Sequence, residues 1–172
     1  MNVKIKKILS LLLCVVAFIY SGRADVYAYQ YNGYKLTKPS SVKYLIGTSV
    51  RQYSTMLRIY TETWETYCDE ITVTNVSSNE NIYFYGNVTV DNGTYAVTTH
   101  TRDDYHVITF YKAFADTTSA YKYETIVHEV GHALGLAHCE EGKESISVMR
   151  ALGFNNKAYP LADDISGIAN LY

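Results

Sequence analysis

Hydrophobic and polar residues recur along the first half of this chain at spacings typical of regular secondary structure. The segment Val42–Ile46 is short and rich in β-forming residues, which predicts a first strand. From Val50 to Trp64 the apolar residues recur every three or four positions, as they do on one face of a helix. This spacing predicts a helix over Ser49–Tyr67, with Ser49 as its N-cap.

After Cys68 the composition shifts to β-branched and aromatic residues that alternate with polar ones, which predicts strands. The predicted strands are Ile71–Val76, Ile82–Tyr85 with an extension through Asn87–Val90, Thr94–Thr99 and His106–Tyr111. The sequence Asp91-Asn92-Gly93 favours a tight turn. We therefore expect the strands before and after this turn to pair as a hairpin.

Two further helices are predicted towards the C-terminus. The first begins at Thr118 or Ser119, either of which can cap it, and runs to about Leu134. The second covers about Leu161–Leu171, with two aspartates in its first turn, where carboxylates interact favourably with the helix dipole. Together these elements predict an α+β domain with about five strands and three helices.

The first 28 residues have the composition of a signal peptide. Three lysines precede the apolar run Ile8–Tyr20, which is too short and wrongly flanked for a membrane-spanning helix. A signal peptidase would find small residues in Val26-Tyr27-Ala28, and cleavage after Ala24 is a second choice. We therefore expect a secreted protein. The alternative is an N-terminal membrane anchor that stays in place.

The residues that follow the signal peptide have an acidic balance. The chain has 15 basic and 17 acidic residues. Four basic residues and one acidic residue lie in 1–28, which leaves 11 basic and 16 acidic residues. A nucleic-acid-binding surface would instead show clustered lysine and arginine. We expect a monomer without nucleic acid or stable membrane insertion, with a loosely held arm or short leader over 29–41 and one domain over 42–172.

Two cysteines lie outside the signal peptide, Cys68 and Cys139. Export into an oxidising compartment favours a disulfide between them. Two free thiols are an alternative, and so is Cys139 as a metal ligand beside His138. The sequence leaves all three open, because it does not establish the geometry that a disulfide requires.

The helix predicted to end near Leu134, together with the turn after it, contains the sequence HEVGHALGLAH. Positions i and i+4 share a helix face, so His128 and His132 can bind one metal ion. Gly135 permits a left-handed turn that brings His138 back as a third ligand. Three nitrogens leave one position of a zinc ion open, which indicates a catalytic site, and Glu129 beside it is the candidate general base. The alternative is a core helix whose histidines are only hydrogen-bonded.

This extended motif resembles the zinc-binding consensus of the metzincin metallopeptidases, and within them the matrixins of the minimal bacterial type. Ser147-Val148-Met149 is similar to their Met-turn, whose methionine, here Met149, lies beneath the zinc ion. Residues 160–172, with Asp163 and Asp164, resemble their closing helix. The likeness covers residues 118–172, about a third of the chain.

The resemblance implies a zincin-like fold, with a twisted mixed sheet and the zinc helix across the floor of the cleft. It implies a zinc endopeptidase that acts on a protein or peptide substrate, with Glu129 as general base and acid. The segment Arg150–Tyr159 resembles the wall of the pocket for the residue after the scissile bond. Thr94–Thr99 is the candidate edge strand for an extended substrate. The implied ligands of the one catalytic zinc ion are His128, His132 and His138.

The sequence departs from the family pattern in three places. Residues 29–48 contain no cysteine, so we expect no latency through a zinc-capping cysteine. Ala151 lies two residues after Met149, where the astacin and serralysin branches carry a tyrosine ligand. A second zinc ion or a calcium ion is not expected, because the nearby donors do not close a four-coordinate site. Those donors are His100, Asp103, Asp104 and His106.

Two other functions stay open at the level of sequence. The chain could be a secreted zinc-binding or adhesive module that performs no chemistry. Glu129 argues against this function, because a structural zinc site needs no carboxylate beside an open position. The chain could also be a metallohydrolase of cell-wall peptides, which shares the zinc chemistry and differs only in its substrate.

Overall fold

The structure is a computed structural model that describes residues 29–102 and 104–172. The predicted signal peptide and Asp103 lie outside the described residues. The strands are β1 (Val42–Ile46), β2 (Val73–Asn75), β3 (Ile82–Asn87), β4 (Ala96–Arg102) and β5 (Tyr105–Tyr111). The helices are α1 (Ser54–Tyr67), α2 (Lys112–Asp116), α3 (Ser119–Ala133) and α4 (Ala162–Leu171), with 3-10 turns at Pro39–Ser41 and Thr48–Tyr53. The α+β class is confirmed, and the short helix α2 is additional to the three predicted.

The five strands form one mixed sheet in the order β2-β1-β3-β5-β4. Strand β1 pairs in parallel with β2 and β3, and β3 pairs in parallel with β5. Only β4 runs antiparallel to its neighbour, β5, and it lies at the edge of the sheet. One side of β4 therefore has no neighbouring strand within the described part of the chain.

The hairpin predicted across Asp91-Asn92-Gly93 is wrong, because β3 and β4 are not paired and β5 lies between them. The turn itself is present: Thr94 N donates to Asn92 Oδ1 (3.0 Å), and Gly93 has a φ of 74°. A turn of this kind satisfies its own backbone groups locally. It therefore marks a change of chain direction without deciding which strand pairs with which.

Several predicted boundaries also move. Strand β3 ends at Asn87, and Val90 is instead exposed in a turn in which its N–H donates to Asn87 O (3.1 Å). Ser49 does not cap a helix, because a 3-10 turn precedes α1. The Ser49 hydroxyl instead accepts a hydrogen bond from Gly86 N on β3 (2.9 Å).

Helices α1 and α3 pack against each other, and α3 also contacts β4 and β5. Trp64 of α1 is fully buried, and its indole N–H donates to Val127 O of α3 (3.1 Å). This bond satisfies the one polar atom of a large buried side chain. It also fixes α1 against the middle of α3, directly before the metal-binding motif begins.

Both cysteines of the described chain are free thiols. Cys68 is buried, and burial raises the pKa of its thiol to about 12, so it is protonated and unreactive at neutral pH. Cys139 is half-buried. The structure therefore has the free-thiol alternative and not the disulfide. Among the described residues no helix is long and apolar enough to cross a membrane.

The N-terminal arm, residues 29–41, is not loosely held. Tyr31 forms an antiparallel bridge with Leu136, and Leu36 is only 2% exposed. The N–H of Leu36 donates to the hydroxyl of Tyr172 near the end of the chain (3.0 Å). These contacts contradict the predicted looseness. Whether the arm is also a leader stays a prediction.

Candidate metal centre

The three predicted metal ligands converge at the C-terminal end of α3. His128 and His132 lie one helical turn apart, and Gly135, with a φ of 106°, then reverses the chain so that His138 returns to them. One ligating atom from each ring lies within 4.8 Å of the others. His138 is exposed, whereas the other two are half-buried. The site is therefore open to solvent on the side of His138.

Main-chain carbonyls orient the two helical imidazoles. His128 Nδ1 donates to Val148 O (2.9 Å), and His132 Nδ1 donates to Leu136 O (2.8 Å). A carbonyl only accepts, so each ring carries its hydrogen on Nδ1 and presents the lone pair of Nε2. Burial lowers the pKa of both rings to about 4, so they are neutral at pH 7. Neutral imidazoles with a bonded second nitrogen are the form that binds zinc, and the donor set fits that ion.

Glu129 is 6% exposed and lines the cleft next to these rings. The hydroxyl of Thr98 on β4 lies 2.7 Å from Glu129 Oε2 and 2.9 Å from Glu129 O. Burial raises the pKa of the Glu129 carboxyl, while His132 and the Thr98 bond oppose the rise. Sequence reasoning missed Thr98, because nothing in the pattern of β4 distinguishes it from the neighbouring threonines.

Met149 packs against α3, and its place beneath a zinc ion stays a prediction from the Met-turn resemblance. A Cβ atom at Gly131 would stand 2.4 Å from Met149 Sδ, so the methionine packs directly against the helix backbone between the first two ligands.

Asp164 stabilises the segment 147–149. It is 1% exposed and accepts hydrogen bonds from Val148 N (2.8 Å), Leu161 N (2.8 Å) and the Ser147 hydroxyl. The sequence placed Asp164 only at a helix N-terminus and did not show this role.

A cleft of about 420 Å³ opens beside His128 and Glu129. Part of its lining comes from residues 93–96, which lead into β4 and include Tyr95, and another part comes from residues 150–154. Phe154 stacks on Tyr121, with ring centroids 4.2 Å apart, and meets the ring of Tyr95 edge-on at 5.1 Å. The first part of the predicted pocket wall, Arg150–Tyr159, therefore lines the cleft with an aromatic surface.

Of the donors considered for a second ion, the structure describes His100, Asp104 and His106, and these three do not form a convergent group. His100 and His106 bond each other through their Nδ1 atoms (2.8 Å). The Asp104 carboxylate accepts hydrogen bonds from the N–H of Thr37 (2.6 Å) and from its hydroxyl. Asp103 lies outside the described residues. Within 29–102 and 104–172, three side chains that can bind a metal ion converge at one place, and they are His128, His132 and His138.

Comparison with known proteins gives one family and several similar folds. The sequence profile described as matrixin matches residues 29–172. No curated protein sequence matches this chain. A structure of myroilysin has a TM-score of 0.61 at 16% identity, over 84% of this chain and 98% of that one. A crystal structure of myroilysin gives 0.59 at 16% identity, over 91% and 95%. A chain of the ECX AB5 holotoxin in its GM1-bound form gives 0.61 at 18%, over 87% and 86%.

Proposed function

This chain belongs to the matrixin family of zinc metallopeptidases, and from that premise we propose that it is a secreted endopeptidase that hydrolyses peptide bonds in proteins. The family match confirms the resemblance stated from the motif. The similar solved structures support a zincin-like fold. The observation that carries the proposal is the convergence of three imidazoles beside the buried carboxyl group of Glu129.

His128, His132 and His138 are the residues that would hold the zinc ion. The carbonyls of Val148 and Leu136 keep the first two rings in the required orientation. When bound, zinc acidifies a water molecule and polarises the scissile carbonyl. Because three protein nitrogens leave one position open, the site suits catalysis better than a purely structural role.

Glu129 is the proposed general base and acid. Thr98 engages Oε2, so Oε1 is the atom that we assign to accept the proton of the attacking water. The same carboxyl then delivers this proton to the leaving amine. The carboxyl group is almost fully buried, so bulk solvent has little access to it.

The shape of the cleft supports an extended peptide as substrate. Strand β4 lies at the sheet edge and passes beside Glu129 through Thr98, so a peptide could add to it as a further strand. The side chain after the scissile bond would then enter the 420 Å³ cleft against Phe154 and Tyr95. We therefore propose that the enzyme prefers a large apolar or aromatic residue at that position.

The proposed substrate is tested by incubating purified residues 29–172 with casein and with peptidoglycan in parallel. Casein should be cleaved internally, cleavage should stop on addition of a zinc chelator, and added zinc should restore it. Release of peptides from peptidoglycan alone would instead assign the enzyme to cell-wall peptides. Hydrolysis of neither substrate, nor of a broad peptide library, would favour a non-catalytic zinc-binding module. Secretion is tested separately by the N-terminus of exported protein, which should be Tyr29, or Asp25 for cleavage after Ala24, and not Met1.

Replacement of Thr98 by valine is expected to lower kcat by about 10–150-fold, with little change in KM. Valine keeps the shape but removes the hydroxyl that orients Glu129, and a hydrogen bond to a charged group contributes about 1.5–3 kcal/mol. Thr98→Ser keeps the hydroxyl and should retain most of the activity. Steady-state kinetics on a fluorogenic peptide measure both variants. A Thr98→Val enzyme with wild-type kcat would exclude an orienting role for this residue.

A further inference from the structure

We propose that residues Gln30–Asn32 of the N-terminal arm are a permanent part of the metal centre, and that Asn32 is a positioning residue for its ligands. The inference rests on the zinc-binding part of the proposed function. It concerns how the chain fixes the turn between the second ligand, His132, and the third, His138.

The main chain of the arm runs along this turn. Asn32 N donates to Gly135 O (3.1 Å), and Ala137 N donates to Gln30 O (2.7 Å). Ala137 immediately precedes His138 in sequence. The path by which the third ligand returns to the site is therefore fixed from outside the motif, by a segment about a hundred residues away.

The side chain of Asn32 adds a second set of bonds. Its Nδ2 donates to His132 O (2.8 Å) and to Leu136 O (3.2 Å), the carbonyls before and after Gly135. Its Oδ1 accepts from Tyr34 N (3.0 Å), so the orientation of the amide is determined. Leu136 O is also the acceptor for His132 Nδ1 (2.8 Å). Asn32 therefore fixes the position of Leu136 O, and this carbonyl in turn orients the imidazole of His132.

Other contacts keep the arm in this place. Tyr34 stacks on the ring of His100 at 3.8 Å, and His100 Nε2 lies 3.3 Å from the Asn32 amide nitrogen. A Cβ atom at Gly135 would stand only 2.6 Å from Tyr34 O, so the arm approaches the turn as closely as a glycine permits. The hydroxyl of Tyr172 accepts from Leu36 N (3.0 Å) and donates to Leu134 O (2.8 Å). The arm is therefore connected to the chain before Gly135, through Tyr172 and Leu134, and to the chain after it, through Ala137.

Loss of the Asn32 amide should weaken zinc binding. Groups that hold metal ligands through hydrogen bonds typically contribute 10–100-fold to metal affinity. Asn32→Ala removes the donor. Asn32→Asp keeps the size and the bond from Tyr34 N, but it directs an acceptor at two carbonyl oxygens. Both variants are expected to raise the zinc Kd by about 10–100-fold.

Lys35→Ala is the matched control. Lys35 is an exposed residue of the same arm, and its ammonium bonds Leu171 O of α4 and not the metal turn. This variant tests whether weakening the arm in general is enough to weaken zinc binding. It should leave the zinc Kd within about threefold of wild type.

The experiment uses residues 29–172 and three measurements: the zinc Kd by competition with a chromophoric chelator, the visible spectrum of the cobalt(II)-substituted protein, and the Tm without metal. Support requires a zinc Kd raised at least about tenfold and an altered cobalt spectrum in an Asn32 variant, with neither change in Lys35→Ala.

A lower metal-free Tm with a wild-type Kd and spectrum would overturn the inference, and so would an equal loss of affinity in Lys35→Ala. If Asn32→Ala does not fold, Asn32→Asp decides by the same criteria. Absence of zinc binding by the wild-type protein would instead contradict the proposed function.

Discussion

Replacing Glu129 by glutamine is expected to reduce kcat by about 10²–10⁴-fold, the range that general acid–base groups contribute. Glutamine has the same size and keeps an oxygen for the Thr98 hydroxyl, but it cannot accept the proton of the attacking water. Glu129→Ala should show the same loss. The zinc content of both variants should equal that of wild type, because Glu129 is not a ligand.

Glu141→Gln is the matched control for this prediction, because Glu141 is an exposed carboxylate near the third ligand and does not line the cleft. Its kcat and KM on a fluorogenic peptide should equal those of wild type. Full activity in Glu129→Ala, with zinc bound, would mean that another group moves the proton. A variant that lost its zinc together with its activity would assign Glu129 to metal binding.

Replacing His138 by alanine is expected to abolish both zinc retention and hydrolysis. Zinc binding by protein sites is worth about 10–16 kcal/mol, so the loss of one of three ligands should weaken binding by about 10³-fold or more. His138 is the exposed member of the three, so its removal creates no cavity. The stability of the metal-free protein should therefore change by only about 0.5 kcal/mol or less, as for other surface substitutions.

Thermal unfolding with and without zinc measures this prediction. The Tm of wild type should rise with zinc concentration, because an ion that binds only the folded state stabilises it. The Tm of His138→Ala should not respond over the same range. A variant that kept both the zinc response and the activity would exclude His138 as a ligand. A large loss of metal-free stability would instead assign it a structural role.

The features that the sequence predicted correctly are those with short-range causes. His128 and His132 share a helix face because they are four residues apart, and the positive φ of Gly135 returns the chain at His138. Strand β1 begins and ends at the predicted residues. Local backbone geometry determines each of these features, so a single sequence contains the necessary information.

The features that the sequence did not predict depend on contacts between distant parts of the chain. The turn before Thr94 could not show that β3 pairs with β5, because parallel pairing is decided by packing over the whole sheet. The bond from Thr98 to Glu129 joins residues 31 positions apart, and the bond from Asn32 to His132 joins residues 100 apart. Composition predicted a loose arm over 29–41, since nothing in a polar, tyrosine-rich segment shows that it has a partner.

The zinc content of purified residues 29–172 tests the account most directly. After dialysis against metal-free buffer, elemental analysis should find one zinc ion per chain. A crystal structure should show that ion bound by the Nε2 atoms of His128 and His132 and by His138. Absence of any bound transition metal, or three imidazoles that point away from one another, would contradict the assignment of this site and the function proposed from it.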